Sequence, residues 1–162
     1  MATGLGTAFA QSSERIAHVN ERIAVSKMMA AARARAGAKW FYWIAGLSMI
    51  NSLVVLRGGN FHFVVGLGIT SLVDGVAKRV GEVGPVLDLV ISGSIASVFV
   101  LFGRFAVKTE KWAFVSGMAL YTMDGLLLLA ARDFLAVGFH AFALYAIYRG
   151  YQAAKLVQVS VV

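Results

Sequence analysis

From Lys111 to Tyr151 the chain reads KWAFVSGMALYTMDGLLLLAARDFLAVGFHAFALYAIYRGY, two long apolar runs joined by Ala130, Ala131, Arg132 and Asp133, with one carboxylate, Asp124, deep in the first run. Apolar runs of this length read as helices that cross a bilayer, and two of them with a short polar link read as a helical hairpin. An acid inside such a run must be compensated. A looser copy of the same pattern lies earlier, from Trp40 to Lys78.

Composition points the same way. Of 162 residues, 59% are hydrophobic and 14% charged, and the mean hydropathy is +0.76. A chain so poor in charge cannot cover its own surface with polar groups, so the lipid bilayer is its expected solvent and first partner. The net charge of +7 does not suggest nucleic acid, because the Lys and Arg residues sit mainly in tails and connections. Their expected role is topological. The absence of Cys excludes disulfides and thiolate metal sites.

The expected fold is all-α and membrane-integral, in three parts. Residues 1–38 form a tail and an amphipathic basic helix, residues 39–156 a transmembrane helical domain, and residues 157–162 a C-terminal tail. The opening MATGLGTAFAQSS lacks a basic n-region and an apolar core, so no cleaved signal peptide is expected. In Gln11 to Ala38, Ile16, Ile23 and Ala30 recur every seven residues with Val19 between them, while Arg15, Arg22, Lys27, Arg33 and Arg35 lie largely elsewhere around the helix. That pattern suits a helix on a membrane surface, a helix docked on a partner, or a solvated helix whose charges fix orientation.

Spans are expected at about 40–56, 61–77, 86–107, 112–131 and 134–152, two hairpins joined by one helix; a four-span version with one interfacial segment is the alternative. Trp40, Phe41, Tyr42 and Trp43 resemble an interfacial aromatic belt. Gly66, Gly68, Gly75, Gly93 and Ser97 are the expected packing positions, where missing or small side chains let helices approach. Alternating five spans puts Arg15 through Lys39 with Lys78, Arg79 and Arg132 on one side, and Arg57, Arg104, Lys108, Lys111, Arg149 and Lys155 on the other. The bias favours a multi-pass protein of the cell (inner) membrane with a cytoplasmic N-terminus.

The two halves echo each other. Asn51-Ser-Leu53-x-x-Leu56-x-x-x-Asn60-Phe61 matches Asp124-Gly-Leu126-x-x-Leu129-x-x-x-Asp133-Phe134 at one fixed offset. With a spanning helix between them the hairpins would be inverted, an arrangement that recurs in transporters with sites where the repeats meet. Asn51 and Asp124 then form the sharpest candidate site, with Ser48 sharing the face of Asn51, and Gly117, Tyr121 and Leu128 that of Asp124. Interhelical glue, Asp124 to Asn51 or to a second copy, is the competing reading. His140 could ligate a haem or chlorophyll metal; a ring nitrogen bonded to a backbone carbonyl is the default.

Catalytic chemistry has no foothold, since no HExxH, GxSxG, phosphate-loop or strand-borne GxGxxG pattern occurs. The expected function is therefore a non-enzymatic membrane subunit, oligomeric or accessory to a larger membrane complex, without a cofactor. A small channel or transporter using Asn51 and Asp124 is the alternative, and a haem or pigment carrier through His140 the third.

Overall fold

The computed structural model describes residues 3–56 and 84–159. All of its regular structure there is helical: α1 (Thr3–Leu56), α2 (Gly84–Val107), α3 (Lys111–Ala130) and α4 (Phe134–Val159). The helix expected over 61–77, with Gly66, Gly68 and Gly75, lies outside the described residues.

The first correction concerns α1. The amphipathic segment and the first apolar segment are one unbroken helix. No proline interrupts them, and RARAGAKW is rich in strong helix formers, so the change from polar to apolar surface at Trp40 does not change the backbone. The amphipathic segment thus continues the same helix that enters the bundle.

Close contacts fix the topology. Gly103 lies against Tyr42 and Gly93 faces Met49, so α2 runs antiparallel to α1; Gly37 lies against Gly150, so α4 does too; Gly117 packs on Phe41. Asp124 and Gly125 of α3 meet His140 of α4, completing an up-down-up-down bundle. Leu56 and Gly84 therefore sit at the same end, where alternation over five spans expects opposite ends. The inverted repeat is corrected with it: α2 returns the chain to the end where α1 enters, so α3, carrying Asp124, runs in the same direction as α1, carrying Asn51.

Sidedness is corrected for the same reason. Arg104, Lys108, Lys111, Arg149 and Lys155 share an end with Arg33, Arg35 and Lys39, and Gln158 Nε2 of α4 donates to Thr109 O in the α2–α3 turn at 3.0 Å. Among the described cations, only Arg132 lies at the other end.

Both described turns close alike. Thr109 and Arg132 take left-handed backbone, φ 65° and 60°. Glu110 N–H donates to Phe105 O and Asp133 N–H to Leu128 O, each a return across the last helical turn. Asp133 Oδ1 then accepts from Ala136 N–H at 3.1 Å, capping α4.

The interior is made of small residues, aromatic rings and a few polar groups. Ala34, Ala38, Ala106, Ala113, Ala143 and Ala154 are buried with Phe41, Phe99, Phe114 and Ile147. Phe41 centres an aromatic cluster, its ring 6.4 Å from Phe99 and 6.2 Å from both Phe102 and Phe114. Large apolar side chains point outward instead, among them Leu101, Met123, Leu126, Leu129, Phe134, Leu135 and Phe142. Two described stretches, Leu89–Val107 and Lys111–Ala130, are long and apolar enough to cross a membrane, and only 28% and 33% of them is buried in the bundle.

Candidate functional site: a buried polar layer

The register that sets the fold also sets the site. Counting from Tyr42–Gly103, Phe41–Gly117 and Gly37–Gly150, Ser48 and Asn51 of α1, Ser92 of α2, Asp124 of α3 and His140 of α4 fall at one level. All are buried, along with Ser52. The level lies about 16 Å beyond the Gly37–Gly150 crossing, at about 1.5 Å of rise per residue.

At its centre His140 Nε2 is 2.8 Å from Asp124 Oδ2, with side chains 2% and 5% exposed. His140 Nδ1 is 2.9 Å from Ala136 O. A carbonyl oxygen only accepts, so Nδ1 carries a proton and donates to Ala136. The contact to Asp124 needs one further proton, held either by Nε2 as imidazolium facing carboxylate or by Oδ2 as a carboxylic acid facing neutral imidazole. Either way the pair has no net charge, which is how two ionisable groups are tolerated in an apolar interior. Tyr121 stacks on the His140 ring, centroids 4.2 Å apart and planes at 14°. The hydroxyls of Tyr121 and Ser52 are buried with no hydrogen-bond partner among the described residues. Ser48 Oγ donates to Ile44 O at 2.8 Å, within its own helix.

The partner that sequence reasoning missed for Asp124 is His140. Its signal was arithmetic: the two residues stand equally far from Arg132 at the turn, and in an antiparallel hairpin such residues meet. Both ring nitrogens of His140, the residue offered for a haem or pigment, are engaged within the bundle, Nε2 with Asp124 and Nδ1 with the Ala136 carbonyl expected as its default partner. Gly117, Tyr121, Asp124 and Leu128 are buried on one face of α3.

The packing positions move. Ser97 is exposed, its hydroxyl donating to Gly93 O at 2.7 Å, and a Cβ on Gly93 would meet only Met49 Sδ at 4.0 Å. The buried face of α2 is Ser92, Ala96, Phe99, Gly103 and Ala106, one residue round the helix. The tight crossings use Gly37, Gly150 and Gly117: a Cβ on Gly37 would fall 2.5 Å from Gly150 Cα, and one on Gly117 would overlap the Phe41 ring.

A pocket of about 320 Å³ reaches Asp124 from between α2 and α3, lined otherwise by Ile95, Val98, Phe99, Leu120, Met123 and Leu127. Asp124 is the one polar residue on an apolar wall. No family model matches this chain, and neither a curated protein nor a solved structure shows significant similarity to it.

Proposed function

We propose that the chain is a non-enzymatic, multi-pass membrane subunit whose bundle sits in the bilayer and whose α1 extends from it as a docking arm for a larger assembly. The observation carrying this is the contrast along α1. From Gln11 to Met29 the helix leaves Ile16, Val19, Ile23, Met28 and Met29 exposed, whereas from Ala30 onward it is packed into the bundle. An isolated exposed helix with an apolar stripe gains stability by covering that stripe. The outward-facing Leu, Met and Phe side chains of α2, α3 and α4 support lipid as the bundle's solvent, since a soluble monomer rarely exposes so much contiguous apolar surface. The gathering of Lys and Arg at the arm's end supports a cytoplasmic arm and an inner-membrane location.

Native mass spectrometry of the full chain, extracted from its own membranes in mild detergent, tests the arm. The expected result is a complex, with further copies or with foreign subunits, that the double variant Ile16→Glu/Ile23→Glu releases. A complex indifferent to that variant, or a bare monomer from native membranes, overturns the reading.

The pocket at Asp124 favours one second reading, a proton or cation path through Asn51 and Asp124. It predicts flux into liposomes under a proton or cation gradient that Asp124→Ala abolishes; no flux under either gradient rejects it.

A further inference from the structure

We infer that the mouth of the α1–α4 crossing is a binding site for the phosphate headgroup of an anionic phospholipid. Two grooves adjoin there and share Ala36 and Trp40. One, of about 250 Å³, is lined by Arg33 and Arg149 across the Gly37–Gly150 contact. The other, of about 420 Å³, is lined by Arg35, Lys39 and Trp43. Neither wall holds a carboxylate.

The four cations have no ion pair among the described residues. The Arg149 guanidinium lies 5.9 Å from the Tyr145 ring centroid, a contact that leaves its N–H groups available. Clusters of this kind, unneutralised and convergent on a shallow groove, suit phosphate oxygens through charge-assisted hydrogen bonds. Arg35 and Lys39 stand one turn apart on one side of Trp40, and Arg33 and Arg149 face each other on the other side.

A lipid fits the groove better than free phosphate because of what lies beside the cations. Trp43 is 63% exposed, and Ala32, Ala36 and Ala146 form an apolar floor. Trp at this position marks the headgroup depth of a bilayer, with the outward apolar surface beginning just beyond it at Ile50 and Leu53. Glycerol and acyl chain would lie on that surface while the phosphate meets the cations. Glycine creates the cleft, because any side chain on Gly37 or Gly150 would separate the two helices.

The inference rests on the bundle being in a bilayer, so the experiment begins with alkaline carbonate extraction of membranes. Release of the chain into the supernatant removes the membrane reading, and this site with it. For chain retained in the pellet and purified in detergent, native mass spectrometry titrates phosphatidylglycerol against phosphatidylcholine. The expected result is selective retention of phosphatidylglycerol, weakened about thirty-fold in Arg35→Gln/Lys39→Gln, taking each surface cation at its usual contribution. Arg15→Gln/Arg22→Gln removes the same charge from the projecting arm and is expected to change nothing. Equal loss in both variants would reduce the effect to net charge and overturn the site. So would absence of selectivity, or displacement of the lipid by millimolar inorganic phosphate.

Discussion

The bundle is joined in two unlike ways at its two ends. At the cationic end α1 and α4 touch backbone to backbone through Gly37 and Gly150, an attraction of shape in which every ångström of approach adds van der Waals contact. Toward the other end α3 and α4 are joined by Asp124 and His140, 2.8 Å apart, an attraction of charge and proton. The first joint tolerates no added atom, and the second tolerates no lost one. Shape complementarity fails by overfilling, whereas a buried ionisable pair fails by deletion.

The crossing should therefore break hardest under addition. Gly150→Leu forces a side chain into the α1 backbone and should lower stability by about 3 kcal/mol, as overpacking of a rigid contact does. Thermal unfolding in detergent is the measurement, with Gly93→Ala as the control, since a Cβ there meets only the flexible end of Met49 at ordinary contact distance. A Gly150→Leu protein as stable as the parent would mean that the crossing contributes no packing.

The pair should break under deletion and survive substitution. Asp124→Ala leaves the His140 ring nitrogen buried without its partner, at a loss of about 2 kcal/mol. Asp124→Asn retains a hydrogen-bonding group and should lose less than half of that, with assembly intact. If Asn behaves as Ala does, the charge itself is required, and the pair is imidazolium–carboxylate. Infrared difference spectra of the Asp124→Asn protein decide the same point independently: a carboxylic acid carbonyl band lost on substitution places the proton on Asp124.

These two joints were not equally legible in the sequence. Asp124 drew attention because a carboxylate in an apolar run demands compensation, and its buried face with Gly117, Tyr121 and Leu128 follows from helical spacing. Its partner did not follow, because pairing depends on register across a turn, and the equal spacing of Asp124 and His140 about Arg132 matters only once the hairpin is known to be antiparallel and close. Gly37 and Gly150 were invisible for another reason. Each is a single glycine in an Ala-rich context, and close approach belongs to the pair of helices, which no local pattern records. The helical class and the starts of α2, α3 and α4, to within two residues, were readable from run length, but α4 runs on to Val159, past the expected end at 152 and into the expected tail, and the continuity of α1 was masked by its change of polarity, a property of its surroundings and not of its backbone.

A smaller effect is expected beside the pair. The Tyr121 hydroxyl is buried without a partner among the described residues while its ring stacks on His140. Tyr121→Phe keeps the stack and removes a desolvated polar group, so it should raise stability by about 1 kcal/mol. A loss of stability would mean that the hydroxyl is bonded in the working protein, and would extend the polar layer by one member.

The smallest prediction sets the two ends against each other directly, through their turns. Thr109 closes α2 at the crossing end and Arg132 closes α3 at the pair end, with the same left-handed backbone and the same returning hydrogen bonds. Left-handed backbone strains any side chain, and a β-branched one most, because both Cβ substituents crowd the backbone. Glycine removes the strain but adds freedom to the unfolded chain, so only the difference appears. Thr109→Gly should then gain about 1 kcal/mol and Arg132→Gly roughly half of that, read as paired thermal midpoints under one detergent condition. Equal gains would mean that branching is relieved by local adjustment at Thr109. A loss at Thr109 alone would show that its side chain contributes to the closure, and would make the cationic end depend on a specific turn residue as well as on a glycine crossing.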